Sequence, residues 1–476
     1  MYLFVRYLQI LGGIQLDDYR LRYLVLATVM IGSIMGPIDA SIVNTILPVI
    51  AHSFHTTISM VQWVPMIYLL IISSLLLFYG RLGDIIGYKK VYIWGLAGFV
   101  LASLFCAFSS TVYHLIFARA LQGVAAGMMM SVPYAIITGS FPSTERGKAL
   151  GINAISISAG LAIGPSLGGF VTSLWGWRSA FLINVPIGLV GMILSQKFIR
   201  ELKGRSGGVD ILGTVTAFLS LFSLLYFINI AQAIGLNPHN IIFLMVGVLS
   251  AIGFLYIESR VPQPMLNLEL FNNLTFSLAN LSALLNFMSQ YVMVFLTPFY
   301  MQRILHYPAD KIGLVMTSFP LATMMVAPFS GYLSDKIGTR MLASLGAGIC
   351  ALALFLMATL PSHATQIDIT WRMALFGIGT GIFQSPNNSA VMGSAPRPYL
   401  GIASGVLATI RNVGMVLGIA TGGAILYATV PDRILKVYLL KGSDAFLFLS
   451  GLKCAYSTGG ILTGIAAIIS LQQKRK

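Results

Sequence analysis

Ten residues, Gly80-Arg-Leu-Gly-Asp84-Ile-Ile-Gly87-Tyr-Lys89, recur 251 positions later as Gly331-Tyr-Leu-Ser-Asp335-Lys-Ile-Gly338-Thr-Arg340. A second segment recurs at an offset of 254, as Ala120–Gly127 and Ala374–Gly381. At that same offset four glycines match four others: Gly160, Gly164, Gly168 and Gly169 with Gly414, Gly418, Gly422 and Gly423. Three matches in the same order at nearly one offset indicate an internal duplication. We therefore expect two copies of one structural unit.

The composition places most of the chain in a membrane. Hydrophobic residues make up 57% of the 476 residues and charged residues 9%, with a mean hydropathy of +0.85, whereas a soluble domain carries roughly 25% charged residues. A membrane-spanning helix needs about 20 apolar residues. Fourteen such stretches are present: six within 22–200, two within 201–274 and six within 275–476. The sequence predicts an all-α integral membrane protein with two six-helix bundles and two additional central helices.

The number of spans sets the relative direction of the two copies. Eight spans separate paired helices, so both copies cross the membrane in the same direction, and in such transporters the substrate site lies near the midplane between the halves. Most of the 29 Lys and Arg residues fall on one side if both termini are cytoplasmic, as the positive-inside rule requires. We expect a multi-pass protein of the cell membrane with residues 1–21 as a cytoplasmic lead-in. The net charge of +15 then needs no nucleic-acid partner.

Residue clusters that would support other kinds of chemistry are missing from the sequence. The three cysteines, Cys106, Cys350 and Cys454, lie inside predicted spans or at their edges and offer neither a disulfide framework nor metal-ligand spacing. The phosphate-binding P-loop motif is absent as well. A membrane-embedded enzyme would need clustered nucleophiles, acids or metal ligands. We expect no cofactor, no bound metal and no enzymatic activity.

Motifs along the first copy resemble those of one transporter family. The first span contains Ile38-Asp39-Ala-Ser41-Ile-Val-Asn44-Thr-Ile-Leu-Pro48 and the fifth contains Gly160-x-x-x-Gly164-Pro165-x-x-Gly168-Gly169. Further matches are Gln62-Trp63, Tyr68, Gly80 to Lys90, Arg119 with Gln122-Gly123, Trp177-Arg178, Asn184-Val-Pro186 and Asp210-x-x-Gly213. Together they resemble the 14-spanner drug:proton antiporters of the major facilitator superfamily, over most of the chain. Ile85 departs from the family's loop motif, which has a basic residue after the aspartate. The resemblance implies proton-driven export of drugs or other amphipathic small molecules.

Asp39 is the acidic residue that we place well inside the membrane. A charge in the bilayer is costly and commonly functional, and burial favours the protonated carboxyl group. A carboxylate that holds either a proton or a cationic substrate would couple their movements. Arg119 lies in the span expected beside that of Asp39, and its counterpart in the second copy is Met373, so we expect its charge to act on Asp39. The alternatives are a structural ion pair for Asp39, and snorkelling or a fixed backbone contact for Arg119.

The fifth span combines a glycine ladder with a proline. Gly160, Gly164, Gly168 and Gly169 allow helix backbones to approach closely. Pro165 favours a kink, and Ile419 replaces it in the second copy. The resemblance implies that this helix seals the transport pathway, although helix packing alone would explain the glycines.

The repeated loop motif predicts a charge latch at the cytoplasmic face. Its members in the first copy are Gly80, Asp84, Gly87, Lys89 and Lys90, and in the second copy Asp335 and Arg340. Exposed ion pairs contribute roughly 0–1 kcal/mol each, which is enough to bias a nearly balanced conformational equilibrium. Positive-inside anchoring is the alternative explanation for the lysines.

Polar and aromatic residues at midmembrane depth are candidates for lining a substrate cavity. They are Asn44, Trp63, Tyr68, Tyr291, Gln384, Asn387, Asn388 and Arg411, the last with Ile157 as its counterpart. The 22 methionines suit either a pliable pocket or ordinary packing. We expect a monomer that binds a small-molecule substrate, protons and the lipid bilayer. Export of an endogenous metabolite or lipid, and proton-linked uptake, are the alternative functions on this fold.

Overall fold

The computed structural model describes residues 18–142, 145–201, 211–234, 237–261, 268–396, 399–435 and 437–473. Within these ranges the chain is helical apart from turns and short loops, and no strand occurs. The expected all-α class is therefore confirmed. Residues 1–17 of the expected lead-in, and most of the two linkers around the central helices, lie outside the described residues.

Six long helices make up the first half of the chain. They are α1 Asp18–Ser53, α2 Trp63–Ile86, α3 Tyr88–Ala107, α4 Val112–Ser131, α5 Arg146–Trp175 and α6 Asn184–Phe198. The short helices Ile58–Val61, Pro133–Ser140 and Ser179–Leu182 precede α2, follow α4 and precede α6. Pro133 has no backbone N–H to continue the helical hydrogen bonds, which accounts for the break after α4.

Two central helices and six further long helices complete the chain. The central pair is α7 Ile211–Ile234 and α8 Pro238–Glu258. The second half comprises α9 Leu274–Arg303, α10 Ala309–Ile337, α11 Thr339–Ala358, α12 Gln366–Ser394, α13 Leu400–Thr429 and α14 Gly442–Leu471. A 3₁₀ turn at Leu268–Asn272 leads into α9, and the short helix Asp432–Leu435 follows α13.

Twelve helical segments in the described part of the chain are long and apolar enough to cross a membrane. Two of the fourteen expected spans fall short of this measure. In α7 the described apolar segment is Leu212–Ile228, and the side chains next to both of its ends lie outside the described part of the structure. Helix α12, although 29 residues long, is too polar because it carries residues such as Asp368, Arg372 and Gln384. Length and composition therefore account for twelve spans in a multi-pass membrane protein.

The internal repeat is visible in the helix boundaries. An offset of 254 maps α5 onto α13 at both ends, and an offset of 251 maps the start of α3 onto the start of α11. Gly87 and Gly338, which are matched in the repeat, join consecutive helices with φ values of 106° and 91°. Glycine adopts this backbone conformation readily, whereas other residues do so rarely. The repeated loop motif therefore marks the same sharp turn in both halves.

The glycine ladders bring the same pair of helices together in each half. A Cβ added to Gly160, Gly164 or Gly168 would collide with residues of α1, which include Ile38 and Ser41. The matched glycines of α13, Gly414, Gly418 and Gly422, face α9 in the same way. Small residues at four-residue spacing allow such close packing of membrane helices. The α1–α5 and α9–α13 pairs are thus equivalent.

The two halves meet at the face of the bundle where α1, α5 and α13 end and α10 begins, which we call the distal face. Gly169 packs against the Ala309 backbone, Gly313 packs against the Pro165 carbonyl, and Gly423 contacts the Gln62 side chain. Hydrogen bonds also join the halves there, from the Ser59 amide to the Tyr427 hydroxyl (3.3 Å) and between the Ser166 and Thr317 hydroxyls (2.6 Å). The distal face is therefore closed.

The central helices pack against each other and against the outside of the paired bundles. Helix α7 contacts α8, α2 and α13. Aromatic rings line this contact: Tyr226 packs on Phe222 of α7 at 5.8 Å and on Phe243 of α8 at 4.4 Å, measured between ring centroids. Trp63 of α2 lies 5.6 Å from the same Tyr226 ring. The added pair thus bridges one helix from each half.

Two glycines of α11 provide a matched test of the packing of α11 on α12. A Cβ at Gly346 would collide with the backbone of Phe383, whereas a Cβ at Gly348 would meet open space. We expect Gly346→Ala to lower the free energy of unfolding by about 1–3 kcal/mol through overpacking. Gly348→Ala should leave it unchanged or raise it slightly, because alanine favours helix. Thermal unfolding in detergent measures both. Equal midpoints for the two variants would contradict the close α11–α12 contact.

Candidate functional site

A buried ion pair lies in the first half, between α1 and α4. The Asp39 side chain is 1% exposed, and Arg119 is 0% exposed. The Arg119 Nη1 donates a hydrogen bond to the Asp39 Oδ2. Asp39 lies between Pro37 and Pro48, both of which are inside α1. The span that the repeat placed beside Asp39 therefore does bring Arg119 into contact with it.

Two amide side chains complete the surroundings of the Asp39 carboxylate. Asn184 of α6 donates to its Oδ1 at 2.8 Å, and Gln122 of α4 donates to the same atom at 3.1 Å. Both amides also donate to the Ser103 hydroxyl of α3, at 3.3 and 2.9 Å. Four helices thus contribute to one network, and the carboxylate accepts three hydrogen bonds that stabilise its charge.

Arg119 is held on its other side by α2. Its Nε donates to the Val64 carbonyl at 3.2 Å, and its Nη1 also donates to the Gln122 Oε1 at 2.6 Å. The guanidinium carbon lies 4.0 Å from the centroid of the Tyr68 ring, a cation–π contact. Its Nη2 is buried, with no hydrogen-bond partner within the described ranges. The Nη2 group of Arg119 is therefore a buried donor without an acceptor in the described part of the structure.

Part of this network was not foreseen in the sequence. Gln122 and Asn184 belong to sequence motifs, but the motifs alone give these two residues no role. Ser103 gave no signal, because a serine in an apolar span commonly bonds to its own helix backbone, and this one also donates to the Phe99 carbonyl at 2.7 Å. Its place in the network follows from how α3 packs against α4 and α6.

The second half has the same glycine contacts between helices but lacks the ion pair. Gly164 packs on the Ile38 carbonyl and Ser41, and its counterpart Gly418 packs on the Met288 carbonyl and Tyr291. These contacts align α1 with α9 at an offset of 250, which pairs Asp39 with Ser289. Met373 stands where the first half has Arg119. The ion pair is therefore an addition to the first half and not a requirement of the repeated fold.

A cavity lies between the two halves at the level of the ion pair. It encloses about 690 Å³ of empty space, part of it open to solvent. Side chains from α1, α5, α9, α10 and α12 line it, eight polar and seven apolar, and none is charged. They are Ser41, Asn44, Ser158, Leu161, Pro165, Gln290, Tyr291, Val294, Met316, Phe319, Pro320, Thr323, Met324, Thr380 and Gln384. Apolar walls with a few placed polar groups are typical of small-molecule sites.

Three of the eight expected cavity residues line this space: Asn44, Tyr291 and Gln384. Tyr68 lies instead beneath Arg119, within the first half. Trp63 packs on Tyr226 of the central helices.

The other three expected residues lie in the second half, outside the cavity lining. Asn387 is buried, and its side-chain amide has no hydrogen-bond partner in the described part of the chain. Asn388 is exposed. Arg411 is partly buried on α13, one turn before Gly414.

The ion pair and the cavity are linked through α1 and Tyr68. Ser41 and Asn44 line the cavity and lie two and five residues from Asp39 on the same helix. The Tyr68 ring lies 4.0 Å from the Arg119 guanidinium carbon. Asp39 therefore shares a helix with the cavity wall, although the carboxylate itself is not exposed there.

Comparison with known proteins identifies the family. The family model described as Major Facilitator Superfamily matches residues 29–419 and 279–470. The chain belongs to this superfamily. It is accordingly a membrane transporter and not an enzyme.

Individual proteins similar to this major facilitator have different cargoes in their names. The riboflavin transporter RibZ of Clostridioides difficile is 32% identical over 84% of this chain and 87% of its own length. The multidrug resistance protein Stp of Mycobacterium tuberculosis is 30% identical over 86% of this chain and 76% of its own length. A solved bacterial homologue of the human drug peptide transporters PepT1 and PepT2 has a TM-score of 0.68 and 13% identity, covering 94% of this chain and 97% of that one. This last likeness concerns the fold alone.

Helix α5 of the transporter contacts α1, the cavity and the second half. Gly160, Gly164 and Gly168 face α1, so they lie against the helix that carries Asp39. Pro165 lines the cavity, and its carbonyl meets Gly313 of α10. Gly169 closes on the Ala309 backbone at the distal face. The expected sealing helix therefore lies between the ion pair, the cavity and the second half.

The loop between α2 and α3 has partners that the sequence did not indicate. Tyr88 donates to the Asp84 carboxylate at 2.5 Å. Lys89 donates from its Nζ to the Gln196 carbonyl at 2.8 Å and from its amide to the Glu201 carboxylate at 3.2 Å. Glu201, at the end of the segment after α6, also lies against Gly87.

Among the remaining expected latch residues, the structure describes the surroundings of Lys90, Gly80 and Arg340. Lys90 is exposed, and a Cβ at Gly80 would meet nothing within 4 Å. The Arg340 Nε is buried with no hydrogen-bond partner in the described ranges. The side chain of Asp335 lies outside the described part of the structure.

Replacing one member of the Asp39–Arg119 pair should cost more stability than replacing both. Asp39→Asn or Arg119→Met alone leaves a buried charge without its partner, which costs about 3–5 kcal/mol, whereas a neutral pair is often tolerated. Methionine is chosen because Met373 occupies the matched position. Thermal unfolding in detergent of the wild type, both single variants and the double variant measures the difference. Additive losses in the double variant would show that the two side chains do not interact.

Proposed function

We propose that this protein exports amphipathic small molecules, drugs among them, in exchange for protons, and that Asp39 carries the proton. Its membership of the major facilitator superfamily supports transport, and its likeness to the multidrug resistance protein Stp supports drug export. The observation that carries the proposal is the Asp39 carboxylate, 1% exposed and bonded to Arg119. A buried ionisable group at midmembrane depth is the kind of site that proton-coupled transporters use.

Protonation of Asp39 would change the balance of charge inside the first half. The proton removes the negative partner of Arg119, and an unpaired buried charge costs about 3–5 kcal/mol. Arg119 keeps its bonds to Gln122 and Val64, so its charge would be drawn toward a new acceptor or toward water. Because Ser41 and Asn44 on the same helix line the cavity, a shift of α1 would change the substrate site. In this way one proton alters the conformation in which substrate binds.

The proposal places both chain termini in the cytoplasm, as the distribution of basic residues indicates. The distal face is then the outer face, and its closure separates the cavity from the outside in this conformation. Export requires the halves to rock until the distal contacts open and the opposite face closes. Because the cavity lies between two halves of one chain, a monomer suffices for this cycle.

One proton per cycle supplies a limited driving force. A membrane potential of 100 mV provides about 2.3 kcal/mol for one charge, and one pH unit provides about 1.4 kcal/mol. Together they would concentrate a neutral substrate roughly several-hundred-fold. A monovalent cation exchanged one for one would respond to the pH gradient only, because no net charge moves.

Replacing Asp39 with asparagine should uncouple transport from the proton. In energised everted vesicles we expect Asp39→Asn to abolish proton-driven accumulation of substrate, measured together with proton release by a pH-sensitive dye. Because the variant also loses stability, exchange of labelled for unlabelled substrate without a proton gradient tests whether it is folded. Asp444→Asn is the matched control, since Asp444 forms an exposed ion pair with Arg433, at 3.7 Å. Proton-driven accumulation by Asp39→Asn at the wild-type level would falsify the coupling role.

The alternative cargo is an endogenous metabolite. The likeness to RibZ, which is named a riboflavin transporter, favours it over a lipid. The same vesicles separate the two, because a drug exporter accumulates several unrelated dyes, whereas a metabolite carrier accumulates one chemical type. Substrate entering energised right-side-out vesicles with protons would identify an importer.

We also propose that α7 and α12 cross the membrane, which gives fourteen spans. Helix α12 contributes Gln384 and Thr380 to the cavity wall, so its polar face has a place away from lipid, and α7 packs on two spanning helices. Alkaline phosphatase, which is active only outside the cytoplasm, should therefore be active when fused after residue 236 and inactive when fused after residue 264. Both fusion points lie outside the described residues. Inactivity at both points would contradict the two central spans.

The loop contacts at the end of α2 are proposed to bias the conformational equilibrium. Lys89 ties the start of α3 to the end of α6 through Gln196 and Glu201, so the first half moves as one body. Each exposed contact contributes little, which suits a bias and not a lock.

A further inference from the structure

The described wall of the cavity contains no counter-charge for an ionised cargo. Its fifteen residues carry carboxamides, hydroxyls and apolar groups, without a carboxylate, a lysine or an arginine. Asp39 and Arg119 lie outside this wall, are 1% and 0% exposed, and are bonded to each other. Moving an ionised group from water into such a site costs free energy unless the group finds a charged partner. The wall therefore favours an uncharged cargo.

The serine and threonine hydroxyls of the wall are better placed to accept hydrogen bonds than to donate them. Each of the four donates to a backbone carbonyl of its own helix: Ser41 and Ser158 at 3.1 Å, Thr323 at 3.0 Å and Thr380 at 2.9 Å. A hydroxyl has one proton to donate and two lone pairs with which to accept. Since the proton is already in use, each hydroxyl offers an acceptor to the cargo.

Two prolines in the wall leave further acceptors. Pro165 lies inside α5 and Pro320 inside α10, and a proline has no N–H to donate to the carbonyl four residues earlier. Those carbonyls belong to Leu161 and Met316, and all four residues line the cavity. Two backbone carbonyls of the wall thus lack their usual helical donor.

Two carboxamides in the wall have buried acceptors without partners. Asn44 is 3% exposed and Gln290 is 7% exposed, and neither the Asn44 Oδ1 nor the Gln290 Oε1 has a hydrogen-bond partner among the described residues. Asn153, Asn286 and Asn387 also have unpaired carboxamide groups, but they lie outside the cavity wall. Buried polar atoms are normally satisfied by protein, water or a ligand. Asn44 of α1 and Gln290 of α9 line one cavity, so one cargo can reach both.

We propose that the cargo is an uncharged aromatic compound whose ring N–H groups donate hydrogen bonds to Asn44 and Gln290. This inference rests on the proposed export function and names its substrate class. The ring system lies against Tyr291, Phe319 and two methionines of α10, which form the apolar part of the wall, and methionine sulfur packs favourably on aromatic rings. A compound without matching donors is rejected, because its binding would leave the acceptors of the site unpaired.

Three fluorescent tricyclic dyes of similar size test the proposal. Lumichrome is uncharged and has ring N–H groups, 1,3-dimethyllumichrome is uncharged and has none, and proflavine has N–H groups and a positive charge. Binding to the full-length protein in detergent at pH 7 is measured by fluorescence anisotropy, with protein-free micelles as the blank. We expect lumichrome to bind about tenfold more tightly than either other dye, since an unpaired buried acceptor has about that effect.

Each comparison dye can overturn one part of the proposal. Binding of 1,3-dimethyllumichrome as tight as that of lumichrome, or tighter, would refute recognition through N–H groups. Binding of proflavine as tight as that of lumichrome, or tighter, would refute the uncharged class.

Variants of the two carboxamides test the residues themselves. Asn44→Leu and Gln290→Leu should each weaken lumichrome binding about tenfold and leave the binding of 1,3-dimethyllumichrome unchanged, which also shows that the cavity is intact. Gln472→Leu, at an exposed residue after α14, is the matched control and should bind both dyes as the wild type does. Lumichrome binding at wild-type strength by both folded cavity variants would contradict the assignment to Asn44 and Gln290.

A transport measurement separates this inference from the proposed function. In proteoliposomes with an imposed pH gradient, lumichrome should accumulate faster than 1,3-dimethyllumichrome, after subtraction of uptake into protein-free liposomes. Binding that depends on the ring N–H groups, without any response of transport to the pH gradient, would support the cargo class and refute proton exchange. Proton-driven accumulation of both compounds at equal rates would support proton exchange and refute the cargo class.

Discussion

A charge that is removed from water must find a partner, and the first half of this protein is arranged around that constraint. The Asp39 carboxylate is bonded to Arg119, Gln122 and Asn184, which come from α4 and α6, and Ser103 of α3 joins the two amides. Breaking such a pair costs several kcal/mol, whereas neutralising both partners costs little. If Asp39 carries the proton, as we propose, its protonation would disturb contacts to several helices at once.

The duplicated helix packing places the hydrogen-bond network of Asp39 beside the cavity. Backbone contacts through matched glycines align α1 with α9 and α5 with α13, so the cavity is walled by equivalent helices from both halves. Ser289 and Met373 occupy the positions of Asp39 and Arg119 in the second half, where packing alone suffices. The symmetric frame thus provides the two-sided cavity, and the asymmetric pair of charges gives one side the group that we propose carries the proton.

The sequence predicts the features that follow from the internal repeat. It does not predict which way a side chain faces, because that depends on the rotation of its helix about its own axis. The duplication and the proximity of Arg119 to Asp39 follow from spacing and from the order of the spans. The direction in which an aromatic side chain faces cannot be predicted in this way, because the lipid-facing and protein-facing sides of an apolar helix have similar hydropathy. Trp63, for example, packs on Tyr226 and not in the cavity. In helix α12, polar residues that line the cavity make the helix less apolar than a typical membrane span.

The contacts that close the distal face are suited to repeated opening. Gly169 on Ala309 and Gly423 on Gln62 are matched positions, yet one contact is with backbone and the other with a side chain that can rotate. Among the described residues, the hydrogen bonds of Ser59 with Tyr427 and of Ser166 with Thr317 join the halves there, through hydroxyl and amide groups that water can satisfy equally well. Opening the closed face therefore exchanges these hydrogen bonds for bonds to water at little cost. On the proposed exchange of one proton per cycle, a driving force of a few kcal/mol would act on an interface that is close-packed without being strongly bonded.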